Sequence, residues 1–267
     1  MFYFVVADVH SYYDQMKAAL DEAGFDENNP NHTLISLGDA IDRGPRPNEV
    51  IKYLVNLPRK ILIRGNHEDL LQELLDDPWG PKGHDITNGT YNTAVELASK
   101  HHKINYGTNI SKTYAKYLEW CDIAKWAKAE KTYRAYDKLL VDYAEIGDYI
   151  FVHGWIPCFS KIDIDGGKKV KKYKYNPNWR NADYLTWCNA RWESGIDCTI
   201  NEIFEPGKVI VCGHWHATAW HEHFEKRLPF ADNTPYIGKN VIALDACTAY
   251  TKKVNVFVFE MEENGNE

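Results

Sequence analysis

The sequence predicts an α/β fold whose strands carry polar residues to a shared edge. Three observations point there. Short β-branched and aromatic runs recur along the chain, amphipathic helical stripes separate the early ones, and most of the runs end in Asp, Asn or His. At 267 residues the chain can bury a substantial core, and 44% hydrophobic with 26% charged residues is a globular composition.

The elements follow in order. "FYFVVAD" (2–8) reads as a first buried strand, and "YYDQMKAALDEAGF" (12–25) as a helix with Met16, Ala19, Leu20 and Ala23 on one stripe and a stop at Gly24. "TLISLGD" (33–39) is a second strand, and "RPNEVIKYLVNLP" (46–58) a helix carrying Val50, Ile51, Leu54 and Leu57 that Pro58 ends. "KILIRGN" (60–66) and "HEDLLQELLDD" (67–77) repeat the pattern. Residues 78–147 turn polar-aromatic with mainly helical spacing, and are expected to be an insertion. The strand "DYIFVHG" (148–154) follows, then a cap-like excursion over 155–206. Within it the basic "KKVKKYKY" (168–175) after a "DGG" turn predicts a solvated hairpin, and "WRNADYLTWCNARW" (179–192) a packed cap rather than a platform for stacking a base. "KVIVCGH" (208–214), "VIALDA" (241–246) and the alternating "KVNVFVFE" (253–260) supply the last strands, and the acidic "EMEENGNE" reads as disordered. Strands resume after both excursions, so residues 1–267 are expected to form one scaffold.

A net charge of −7 disfavours stable attachment to nucleic acid or to anionic membrane. The six cysteines are scattered without a CxxC pair, which predicts reduced thiols. "MFYFVVADVH" lacks a basic leader followed by a long apolar core, and no run approaches the ~18 apolar residues of a membrane span. The expected location is the cytoplasm of the host cell.

Asp8 and His10 follow the first strand, Asp39 closes the second and Asn66 the third, while His153 closes the fourth and His214 and His216 the fifth. Ligands of α/β sheets gather beyond the carboxyl ends of strands. Seven such donors exceed one tetrahedral ion and suit two ions sharing a carboxylate, roughly 3.5–4 Å apart. Nitrogen and oxygen donors without thiolate suit Mn, Fe or Zn. In "DVH" and "HWH", residues i and i+2 of an extended segment would point the same way. "HEH" (221–223) and "HH" (101–102) follow no strand and are expected to be solvated.

The ordered blocks "ADVH", "GDAIDRG", "RGNHE", "VHG" and "GHWH" resemble the calcineurin-like metallophosphoesterases, and among them the PPP-type serine/threonine phosphatases of bacteria and phages. The resemblance implies a β-sandwich of two mixed sheets flanked by helices. It implies that Asp8, His10, Asp39 and His216 hold one divalent metal and that Asp39, Asn66, His153 and His214 hold a second, with Mn2+ the expected ion. It makes His67 the general acid, oriented by Asp42, and gives phosphate binding to Arg43, Arg64 and a further arginine, for which Arg191 is the candidate. The blocks depart from the pattern twice: the first ends in Ser11 where relatives carry Gly, and the last has two histidines where PPP relatives have one.

Phosphate ester chemistry accounts for these residue types. A water on two divalent ions attacks at neutral pH, arginine forks neutralise the ester oxygens, and a protonated imidazole meets the leaving alkoxide, a contribution typically of about 10²–10⁴-fold. Gly38 and Gly44 allow the turns that bring Asp39, Asp42 and Arg43 together. The expected substrate is phosphoserine or phosphothreonine in a protein. The alternatives are a nucleotide, in the manner of a symmetrical dinucleoside tetraphosphatase or a cyclic-nucleotide phosphodiesterase, and a non-enzymatic metal-binding scaffold. Metal binding alone has no need of His67 and Asp42.

Overall fold

The structure, a computed structural model, describes residues 1–99, 112–165, 168–226 and 232–262. His101, His102 and the end of the acidic tail lie outside the described residues.

The chain begins β1 (Phe2–Val6), α1 (Tyr13–Glu22), β2 (His32–Ser36), α2 (Pro47–Asn56), β3 (Lys60–Ile63) and α3 (Asn66–Asp76). Four helices come next: α4 (Gly83–Thr87), α5 (Thr90–Ala98), α6 (Lys112–Ala129) and α7 (Lys131–Leu139). The short strands β4 (Leu140–Val141), β5 (Ala144–Ile146) and β6 (Tyr149–Phe151) lead to a hairpin of β7 (Phe159–Asp165) and β8 (Lys168–Lys174). The remainder is α8 (Tyr184–Arg191), α9 (Gly195–Ile200), β9 (Val209–Cys212), α10 (Ala217–Glu225), β10 (Tyr236–Ile237), β11 (Val241–Ala243), α11 (Thr248–Thr251) and β12 (Val256–Glu260).

Two mixed sheets result, ordered β12-β1-β2-β3-β4 and β10-β11-β9-β6-β5. In the first, β1 to β4 run parallel and β12 is antiparallel; in the second, β6, β9 and β11 run parallel between antiparallel edges. The side-chain period of two explains the layers. Val5, Ile35 and Ile63 meet Phe151, Val211 and Ile242 between the sheets. Phe4, Val6 and Leu34 turn outward under α1 and α2 (Met16, Leu20, Val50, Leu54). Ile150, Ile210 and Cys212 turn outward under the tryptophan-rich segment. Each buried aliphatic or aromatic side chain among these contributes about 1.5–3 kcal/mol.

The described residues between Gly83 and Leu139 are mainly helical, but β4 and β5 fall inside the stretch expected to be mainly helical and extend the two sheets. At two and three residues they are too short to show a period in the sequence. The basic run forms the predicted hairpin, which pairs only with itself among the described residues. Trp179 and Trp187 are buried against Tyr143, as a packed cap requires, whereas Trp192 is 51% exposed. His221 corrects an expectation. It is buried rather than solvated, on the inner face of α10, with Nδ1 at 2.8 Å from Glu225 Oε2 and Nε2 at 3.1 Å from the Thr234 carbonyl.

Candidate active site

The loops leaving β1, β2 and β9 are not extended, as the "DVH" and "HWH" alternation had implied. Asp8, His10, Ser11, Asp39, Asp42, Arg43 and His214 all adopt positive φ, from 49 to 69°. Such conformations cost a non-glycine residue about 1–3 kcal/mol and persist where surrounding bonds impose them. Here the two loops are zipped together: His10 N–H donates to the Asp39 carbonyl at 2.9 Å and Ser11 N–H to the Ala40 carbonyl at 2.9 Å. Ser11, at φ 62°, takes the left-handed conformation that explains why glycine suits this position. Gly65 is required for another reason. A Cβ there would stand 2.2 Å from Asp39 Oδ1.

Asp39 is the hub. His153 Nε2 lies 3.3 Å from its Oδ1, while His10 Nε2 and His67 Nε2 lie 3.9 and 3.8 Å from its Oδ2. Two groups of potential metal donors share it: His10, Asp39 and His67, and Asp39, His153 and His214, with the donor atoms of each group within 4.8 Å of one another. The donor set fits a cation. His10 Nδ1 is held by the Ile41 carbonyl at 3.0 Å and His153 Nδ1 by the Leu37 carbonyl at 2.8 Å, so each ring presents Nε2. Burial lowers His10 and His214 to about 3 and lowers His153 as well, which keeps all three imidazoles neutral and their lone pairs available. Asn66 Oδ1 sits 2.7 Å from His153 Nε2. Burial acts to raise Asp39, but His153, His67 and His10 outweigh it and hold the carboxyl below its ordinary range.

Asp8 accepts the His214 N–H with both oxygens, at 3.2 and 3.0 Å. Burial, then the neighbouring carboxylates Asp245 and Asp39, push Asp8 well above the ordinary range. Three buried carboxylates this close are what a cation relieves. His216 turns its Nε2 to Asp245, at 3.7 Å from Oδ2. Asp245 was missed in the sequence, although it follows the run of β11 as Asp39 follows that of β2.

His67 Nδ1 lies 2.7 Å from Asp42 Oδ2. The fully buried Asp42 also accepts the hydroxyls of Thr90 (Oδ2) and Thr93 (Oδ1), each at 2.7 Å, from α5. Burial lowers His67, but Asp39 and Asp42 prevail and raise it above its ordinary value. Glu68 closes the loops from behind. It accepts the N–H groups of Asp39, Ala40 and Gly65 at 2.8–3.0 Å and the Tyr136 hydroxyl, from α7, at 3.0 Å. Burial and then Asp39 push Glu68 up to about 7. Thr90, Thr93 and Tyr136 were also missed, because their reach depends on how the insertion packs, and Glu68 because its N–H partners Asp39, Ala40 and Gly65 are brought to it by the loops after β2 and β3.

Of the three predicted phosphate-binding arginines, only Arg43 is exposed; its Nη2 stands 3.3 Å from His67 Nε2. Arg64 and Arg191 lie deeper and are held by carboxylates. Arg64 pairs with Asp137 at 2.6 Å and faces Asp69 at 3.7 Å, and Arg191, 2% exposed, pairs with Asp69 at 2.8 Å and with Asp142. Each guanidinium keeps a buried nitrogen without a hydrogen-bond partner among the described residues, Nη1 of Arg64 and Nε of Arg191.

A two-sheet α/β sandwich with histidines and carboxylates clustered at one rim defines a metallophosphoesterase scaffold. The calcineurin-like phosphoesterase family profile matches residues 3–218, and the chain belongs to that family of metal-dependent phosphoesterases. The bis(5'-nucleosyl)-tetraphosphatase PrpE (asymmetrical) of Bacillus subtilis is 32% identical over 127 residues, 43% of this chain and 50% of the relative. The serine/threonine-protein phosphatase 2 of Escherichia coli is 30% identical over 121 residues, 42% of this chain and 54% of the relative. The chain thus spans about half the length of the curated relatives it matches. The crystal structure of a mutant cold-active protein tyrosine phosphatase shares the fold, with TM-score 0.52 at 15% identity over 97% of this chain and 75% of that one. Among the described residues no helix is long and apolar enough to cross a membrane.

Proposed function

We propose that this chain hydrolyses phosphate esters at a dinuclear metal centre and that its substrate is a nucleotide, such as a dinucleoside polyphosphate. The observation that carries the reaction is Asp39, whose two oxygens face separate imidazoles, His153 and His10, in two overlapping donor groups. Asp8, His10, Asp39 and His216 would hold one divalent cation, and Asp39, Asn66, His153 and His214 the other. Bound there, such ions supply an acidified water and neutralise phosphoryl charge.

The protein's own groups do the rest. Arg43 reaches from the surface to grip a phosphoryl oxygen with its planar fork. His67, fixed through Nδ1 by Asp42 and raised in pKa, carries a proton on Nε2 and delivers it to the leaving oxygen. Thr90 and Thr93 hold Asp42, and Glu68 with Tyr136 holds the two loops at their spacing. The nucleotide reading rests on Trp192, whose exposed indole stands edge-on to His214 with ring centroids 5.8 Å apart. Phosphoserine or phosphothreonine in a protein is the second reading, favoured by the E. coli relative. Turnover of diadenosine tetraphosphate and of a phosphopeptide, each with Mn2+, Fe2+ or Zn2+ added, tests the choice. Faster turnover of the dinucleotide is expected, and faster turnover of the phosphopeptide would reverse it.

A further inference from the structure

Beside the metal rim lies a cavity of about 830 Å³, bounded by the start of β7, the segment 176–183, α8 and Trp192. Its volume is that of a small-molecule site. Two contacts tie it to the reacting centre. Trp192 forms both its wall and the edge-on neighbour of His214, with its backbone hydrogen-bonded to that histidine. The carbonyl of Ala190, another wall residue, accepts the Trp155 N–H at 3.0 Å, two residues past His153.

The cation of the wall, Lys171, is already paired, and Asp183 leaves one carboxylate without a cation among the described residues. Lys171 Nζ is 2.6 Å from both oxygens of Glu193, and Asp183 Oδ1 caps α8 by accepting the Thr186 N–H at 2.8 Å. The remaining polar wall is neutral, with amides from Asn176, Asn178, Asn181 and Asn189 and hydroxyls from Ser160 and Thr186. Asn176 Oδ1 is fixed by the Asn178 N–H at 3.0 Å. A phosphate or an acidic peptide requires cations that are not already paired. Neutral amides offer donors and acceptors together, and an exposed indole offers a flat face, so the wall suits an uncharged planar ring with polar edges.

We propose that this cavity is a nucleoside subsite: Trp192 stacks the base, the asparagines bond its edge and sugar, and the attached phosphate is thereby aimed at the metal rim. The proposal rests on the nucleotide reading above and makes it specific. Trp192 and the asparagines are binding and positioning residues and take no part in bond making.

The test has two arms. In the first, adenosine is titrated into the metal-free protein and followed by saturation-transfer NMR, which needs no turnover. Saturable binding that weakens about tenfold in Trp192→Ala and is largely kept in Trp192→Phe is expected, since base stacking on an aromatic is typically worth roughly five- to 150-fold. In the second, kcat/KM for diadenosine tetraphosphate is divided by that for p-nitrophenyl phosphate. Trp192→Ala and Asn181→Ala should each lower this ratio, the first by about tenfold; Asn181, whose N–H bonds the Asn178 carbonyl at 3.0 Å rather than a metal donor, guards against indirect damage. Adenosine that fails to bind, or binds wild type and Trp192→Ala alike, overturns the subsite. So does a ratio that moves less than about twofold in both variants. Adenosine bound at Trp192 without dinucleotide hydrolysis supports the subsite while removing the nucleotide reading of the reaction.

Discussion

Replacing Thr93 by Val tests how the insertion supports the candidate acid. Asp42 is fully buried, and its Oδ1 accepts from Thr93 at 2.7 Å, whereas Oδ2 is held twice, by Thr90 at 2.7 Å and by His67 Nδ1 at 2.7 Å. Valine keeps the shape of threonine, so no cavity term enters. Thr93→Val strips Oδ1 of its donor and leaves a buried charged oxygen unmatched, at a cost of about 1.5–3 kcal/mol. Thr90→Val leaves Oδ2 with the imidazole and should cost about half as much. The assay is urea unfolding of the metal-free protein, read as a shift in midpoint at constant slope. The order Thr93→Val below Thr90→Val below wild type is expected. Equal stability of Thr93→Val and wild type, or the reverse order of the two variants, would refute the assignment of Asp42 as a carboxylate clamped from both sides.

Three further outcomes follow from the same geometry. His67→Asn should cut hydrolysis of an alkyl phosphate by about 10²-fold or more, and that of p-nitrophenyl phosphate far less, because only the poor leaving group needs the proton; equal losses would remove its role as acid. Arg191→Ala should destabilise the fold by about 3 kcal/mol in chemical denaturation, since it takes from the buried Asp69 its hydrogen-bonded partner and leaves it only Arg64 at 3.7 Å, and a change under ~1 kcal/mol would show that the pair is dispensable. In the metal-free protein, His10 and His214 are lowered from 6.5 to about 3 by burial, so the unfolded chain binds more protons between those limits. At these two positions that favours the folded state as the pH rises, while the raised Asp8 and Glu68 act in the opposite direction. The imidazole NMR signals of His10 and His214 should therefore keep the neutral form down to about pH 4, and protonation near pH 6.5 would contradict the neutral, buried imidazoles.

The strand framework was legible because β-branched runs such as "TLIS" and "VIVC" are long enough to show themselves, and because Asp39, His153 and His214 directly follow them. The helices were legible from Gly24, Pro58 and the stripes of Leu20 and Leu54. What escaped was set by tertiary contact. Left-handed backbone at Asp8, His10 and Asp39 has no local signature in non-glycine residues, and it arises from the pairing of two loops. Thr90, Thr93 and Tyr136 look like ordinary helix residues until α5 and α7 are packed against Asp42 and Glu68. The ion pairs of Arg64 and Arg191 were not legible, because Asp69, Asp137 and Asp142 are brought to them from elsewhere in the chain. His221 looked solvated because nothing in "HEH" reveals which face of α10 turns inward.

The most direct measurement is the metal content of Asp39→Asn against wild type, taken by equilibrium dialysis and elemental analysis over a range of Mn2+ concentrations. A carboxylate shared by both donor groups predicts two ions per wild-type chain and a simultaneous loss of affinity at both positions in the variant. A variant that keeps one ion at wild-type affinity while losing the other would contradict the sharing, and with it the dinuclear reading of the site.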